Sequence, residues 1–243
     1  MFHKGVLEHR SSRVKMVFMV TTTQRTERRA DALSKARIVE AAIDILNTDG
    51  ESGLTFRALS ARLATGSGAI YWHVADKTEL LAAAADAVIA RVMTEAVSGG
   101  EPREAVRAIA LGLFDAIDDH PWVGAQLSLG PLRSAMLQIF EGVGGRLQAL
   151  GVPERAQFDA ASALVSYILG VAGQNAANAR LAREMDRSDR SAFLATIAAQ
   201  WARLDPTNYP FMRQVAAQFA EHDDREQFLA GIDLILAGIA TVR

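Results

Sequence analysis

The 243-residue chain contains no cysteine. Disulfide bridges and thiolate metal sites are thereby excluded, and the composition fits a reducing cytoplasm. Histidine is scarce too. His3, His9, His73, His120 and His222 are scattered, and none has an i, i+4 partner with which to share a metal. Purely apolar runs fall far short of the ~18–20 residues that a membrane helix needs. Residues 16–20 are the one candidate for a signal-peptide core, and they are too few for one. The chain lacks a Gly-x-Ser-x-Gly elbow and a Gly-x-x-x-x-Gly-Lys loop. Gly142-Val143-Gly144-Gly145 is only superficially nucleotide-binding, because it lacks the third glycine and follows no strand. The acid pairs Asp118-Asp119 and Asp223-Asp224 read as helix ends and caps. These absences point away from an enzyme, a metal site, a cofactor and a membrane partner, and the expected location is the cytoplasm.

Strand signals are almost missing as well, since no run of alternating β-branched residues is bounded by hairpin turns. What remains is helical periodicity. Half the residues are hydrophobic and 22% are charged, as in an ordinary globular protein. The net charge of −2 conceals an asymmetry. Residues 1–91 carry 13 Lys/Arg against 10 Asp/Glu, and residues 92–243 carry 13 against 18. A basic front and an acidic rear suggest that only the front meets a polyanion. Residues 1–33 lack sustained periodicity and read as a basic, mobile extension, able to add non-specific affinity for nucleic acid.

Helices are expected from residue 34 onward. In the first, residues 34–47, Ile38, Ala41, Ala42, Ile45 and Leu46 form one buried face, with Ser34 as cap and Asp49-Gly50 as stop. Thr55 caps a second helix over 56–64, with Leu54 and Leu59 as a hydrophobic staple. After a break at Thr65-Gly66 comes a short helix at 67–73. Asp76 and Glu79 form a capping box for a fourth, reaching about residue 91. Its apolar stripe is Leu80, Leu81, Ala84, Ala85, Val88, Ile89 and Val92. Ser98-Gly99-Gly100 reads as a hinge. Further helices are expected at 102–119, 131–149, 153–184, 190–204, 211–220 and 224–241, with a short turn after Pro121. The class is all-α: a three-helix front domain over 34–92 and a helical bundle over 101–243.

A capped amphipathic helix, a tight break and a second short helix make a helix-turn-helix. Small residues at the start of the second helix let its backbone approach base edges in a major groove, and Ser67 can hydrogen-bond there. Tyr71, His73 and Lys77 are donors placed to grip a sugar-phosphate backbone. Lys77 opposes the macrodipole in the first turn of its helix, and a phosphate partner would rationalise it.

Residues 34–91 resemble the DNA-binding domain of the tetracycline-repressor (TetR) family. The likeness rests on Leu54-Thr55-x-Arg57-x-Leu59, Ala69-Ile70-Tyr71-Trp72-His73-Val74 and Asp76-Lys77-x-Glu79-Leu80-Leu81. The rear half is similar in character to the family's regulatory domain at His120-Pro121-Trp122 and at residues 222–228. Ala64 departs from the pattern, which often has glycine there; Gly66 is the residue expected to take up the turn.

The resemblance implies that Thr55 binds phosphate while capping its helix and that Arg57 reaches a base or a phosphate. It implies that Ser67, Gly68 and Ala69 face bases, and that Tyr71, Trp72, His73 and Lys77 hold the backbone. Trp72 fits core packing equally well. The implied protein is a homodimeric regulator on a double-stranded, palindromic operator, a repressor released by an unknown small-molecule effector. A DNA-binding factor without ligand control, or an activator, is the alternative. Residues 153–184 and 224–242 are apolar on more than one side, which suits a dimer interface. Trp122, Gln126, Tyr167, Gln174, Asn178 and Trp201 are candidates for lining a ligand cavity in the rear bundle.

Overall fold

The computed structural model describes residues 33–96, 100–129, 133–184 and 190–242, the side chains of 181–184 excepted. The expected extension, apart from Leu33, and most of the expected hinge lie outside these residues. Among the described residues all regular structure is helical. The N-terminal helix-turn-helix domain is followed by a C-terminal helical domain.

Helix α1 (Lys35–Gly53) starts under Ser34, whose hydroxyl accepts from the Arg37 N–H at 3.3 Å. It runs six residues past the expected end. Gly50 interrupts it at φ +67° and ψ −171°, a conformation open to glycine, and one helical turn resumes beyond it. Helices α2 (Phe56–Arg62) and α3 (Ser67–Tyr71) follow, and α4 (Lys77–Ala96) packs on α1. The Asp76 carboxylate accepts from the Glu79 N–H, and the Glu79 carboxylate accepts from the Ala75 N–H, both at 2.8 Å. This box opens α4 as expected. The Ala75 N–H, together with Lys35, which pairs with Glu79 at 2.7 Å, holds the Glu79 carboxyl below its ordinary pKa.

The seven stripe residues of α4 are all buried. It packs on α1, to which Arg91 is paired through Glu40, and on a bundle of α5 (Pro102–Asp119), α6 (Pro121–Leu127) and α7 (Ser134–Ala149). Helix α7 begins three residues after Pro131. Its N-cap residue Arg133 offers no side-chain bond, so the Asp86 carboxylate of α4 accepts from the Ala135 N–H at 2.7 Å instead. Helix α8 (Glu154–Glu184) lies across α5, α6 and α7. Helix α11 (Asp224–Ile239) packs on α8 and α5. There Arg103 and Arg107 pair with Asp233, and Arg225 pairs with Asp115. One apolar core therefore runs from Ile38 in α1 to Leu236 in α11.

Helices α9 (Arg190–Ala202) and α10 (Pro210–Ala220) form a hairpin that packs chiefly on itself, around Leu194, Ala198 and Ala216. Trp201 and Phe219 meet inside it, ring centres 4.2 Å apart. At its base, Asp224 bonds both His222 and Arg190 at 2.8 Å, and Asp223 caps α11 by accepting from the Glu226 N–H.

Candidate DNA-reading surface and regulatory cleft

The candidate surface begins with Thr55, whose Oγ1 accepts from the Ala58 N–H at 3.1 Å and so caps α2. Leu59 and Ile70 are fully buried beneath the two helices and set the spacing between them. The break belongs to Ala64, not to Gly66. Ala64 has φ +49°, whereas Gly66 is extended at φ −79°. The Ala64 N–H donates to the Ala61 carbonyl and the Thr65 N–H to the Ser60 carbonyl, the paired bonds of a Schellman ending. The expectation that Gly66 takes up the turn is corrected, because the left-handed residue is the one directly after the cap.

Helix α3 then presents Ser67 and Gly68 in the open, with Ala69 half-buried. The Tyr71 ring stacks on Phe56, centres 4.3 Å apart, which leaves one ring face supported and the residue exposed. Trp72 is 89% exposed, and that removes core packing as its role. His73 is half-buried and Arg57 is exposed. Lys77 already has a partner: its ammonium donates to the Glu51 carbonyl and ties the start of α4 to the last turn of α1. A phosphate is therefore not needed to rationalise it. Phe56, the platform under Tyr71, was missed as a contributor; its i+15 separation from Tyr71 carries no periodic signal.

The six candidates for a ligand cavity do not converge. Trp122 and Gln126 are buried on one face of α6, and the Trp122 indole N–H donates to Asn47 of α1 at 2.9 Å. Tyr167 donates to the Phe228 carbonyl at 3.2 Å and stacks on that ring, which joins α8 to α11. Burial pushes its phenol pKa up. Gln174 and Asn178 are exposed on α8, and Trp201 sits in the α9–α10 hairpin. A cleft of about 550 Å³ does open between α5, α6 and α8. Its walls are Ile117 from α5, Pro121, Gly124, Ala125 and Ser128 beside or on α6, and Leu169, Gly173, Ala176, Ala177 and Arg180 from α8. The i, i+3, i+4, i+7 spacing of the α6 set was visible in the sequence. Its pairing with small residues 45–56 positions away on α8 was not. Among the described residues no group of His, Asp and Glu is placed to hold a metal.

Comparison with known proteins gives this geometry its context. Residues 38–84 match the family described as bacterial regulatory proteins, tetR family, and residues 98–243 match the tetracyclin repressor-like C-terminal domain. An HTH-type transcriptional regulator of Saccharopolyspora erythraea is 29% identical over 89% of this chain and 89% of its own. The HTH-type transcriptional repressor DrrR1 of Streptomyces coeruleorubidus is 28% identical over 85% of this chain and 77% of its own. The solved transcriptional regulator SCO7222, a TetR from Streptomyces coelicolor, is 52% identical, with a TM-score of 0.79 over 87% of this chain and 99% of that one. With both halves matched in order and the helix-turn-helix in place, the chain belongs to the TetR family of helix-turn-helix transcriptional regulators.

Proposed function

We propose that the protein is a repressor that binds an inverted-repeat operator as a homodimer and is released by a small, mostly apolar molecule in the α5–α6–α8 cleft. In this reading residues 34–92 are the reading head, and residues 101–243 bind the ligand and the second subunit. The observation that carries the DNA side is the Tyr71–Trp72 pair. Two large aromatics stand in the open at the end of a five-residue helix, one of them backed by Phe56. Exposed aromatics beside small residues suit a helix lying in a major groove, where Ser67, Gly68 and Ala69 approach base edges. Tyr71, Trp72 and Thr55 hold the backbone, and Arg57 reaches a base or a phosphate.

The cleft supports ligand control over a factor without it. It is lined mainly by apolar and small groups and is within the size range of small-molecule sites. The name of DrrR1 as a repressor supports repression over activation. A thermal-shift screen for stabilising small molecules, followed by operator binding with each hit, tests the reading. A cleft ligand should raise the melting temperature and weaken operator binding, with a reciprocal coupling of about 1–3 kcal/mol. Stabilising hits that leave operator binding unchanged would favour the factor without ligand control.

A further inference from the structure

Asn47 of α1, His120 at the α5–α6 junction and Trp122 of α6 meet at one atom. The Trp122 indole can only donate, so the Asn47 atom it reaches at 2.9 Å is the amide oxygen, Oδ1. His120 Nδ1 lies 2.8 Å from the same oxygen and must therefore carry a proton as the second donor. Burial, helped by the charge of Arg91 and opposed by Asp119, lowers the His120 pKa, which favours a neutral ring with Nδ1–H as its one donor. The oxygen then uses both lone pairs, and no member of the trio can turn without breaking a bond.

The place of this cluster gives it meaning. Asn47 belongs to α1, at the base of the helix-turn-helix; Trp122 belongs to α6, and His120 precedes it. Helix α4 is the continuous connection between the two domains, and one helix by itself leaves rotation about its axis open. The Asn47 cluster is a second attachment, off that axis. Helix α6 has only seven residues, and its other face, Pro121, Gly124, Ala125 and Ser128, forms the cleft wall. A body so short moves as a unit.

We infer that Asn47, His120 and Trp122 are positioning residues that set the angle of the reading head on the regulatory domain. The joint goes beyond the function proposed above, and its geometry can be tested without DNA or ligand. The chain has no cysteine, so spin labels attach only where cysteines are introduced. Ala61→Cys and Gln148→Cys place them on exposed positions of α2 and α7. The distance distribution in full-length protein, spin-diluted with unlabelled chain, reports the head angle.

Trp122→Phe keeps a ring and removes the donor; Asn47→Leu removes the acceptor at similar volume. Both should broaden or shift the distribution relative to the parent. Both should also weaken binding to the operator, Trp122→Phe by about five- to tenfold, the worth of one ordinary hydrogen bond, and Asn47→Leu by at least as much because it removes both bonds, while binding to a single half-site duplex stays unchanged. A distribution unchanged in both variants overturns the joint, whatever happens to DNA binding. Failure of the parent protein to bind any duplex would instead count against the proposed function, and the distance measurement would still decide the joint.

Discussion

Ala64 sits at φ +49°, where an L-residue with a Cβ pays for the turn that glycine makes freely. Its Schellman bonds fix that conformation, so the strain is retained in the native state. Ala64→Gly should therefore stabilise the protein by roughly 0.5–1 kcal/mol, after allowing for the greater freedom of glycine in the unfolded chain. Urea denaturation of the two proteins measures this. A destabilised glycine variant would contradict the strain. Trp72 makes the opposite case, a large side chain with little to lose. At 89% exposure, Trp72→Ala should leave stability within about 0.5 kcal/mol of the parent. It should lower affinity for operator and random duplex alike, because the backbone grip proposed for it would read no bases. Fluorescence anisotropy on both duplexes checks it. A loss confined to the operator would move Trp72 into the base-reading set.

At the scale of the elements, the helices were legible wherever the signal was local. The Leu80–Val92 stripe, the Thr55 cap and the Asp76–Glu79 box each lie within one helix or its first turn, and all stand as read. Faces that meet across the fold were not legible. Periodicity shows that Trp122 shares a face with Gln126, but not that this face abuts Asn47 in α1. For the same reason Trp122, Tyr167 and Trp201, chosen as cavity aromatics, are engaged by α1, α11 and α10 respectively. The α8–α11 contact shows how close such meetings are. A Cβ on Gly231 would lie 1.9 Å from the Tyr167 hydroxyl and 2.3 Å from its ring carbon Cζ. Gly231→Ala should cost about 1–3 kcal/mol through overpacking and loss of the Phe228 carbonyl bond. In a Tyr167→Ala background the same substitution should cost far less, and a double-mutant cycle by chemical denaturation measures the difference. Equal costs in both backgrounds would place the strain elsewhere.

For the whole molecule, the outer surfaces of α8 and α11 are the unresolved part of the packing. Only 33% of the most apolar window of α8 is buried within the chain. Ala163, Ser166, Gly170 and Ala177 stand exposed along α8, and Ala230, Leu234 and Ala237 along the adjoining α11. Phe158 and Leu234 are 74% and 75% exposed. Apolar and small residues in two adjacent stripes suit a second copy packed face to face, the arrangement that the proposed homodimer requires. Leu234→Glu touches little within its own chain. It should leave helicity and melting nearly unchanged while shifting sedimentation to the monomer and abolishing tight operator binding. A dimer undisturbed by this charge would place the interface on another face.

Two reading heads related by a two-fold axis demand two matching half-sites, about one helical turn (roughly 10 base pairs) apart or a multiple of it. Selection of the full-length protein against random duplex DNA, followed by sequencing of the bound pool, tests the dimeric repressor most directly. Enrichment of inverted repeats at a single preferred spacing is the expected result. Enrichment of asymmetric sites, a preference for single strands, or no enrichment at all would contradict it.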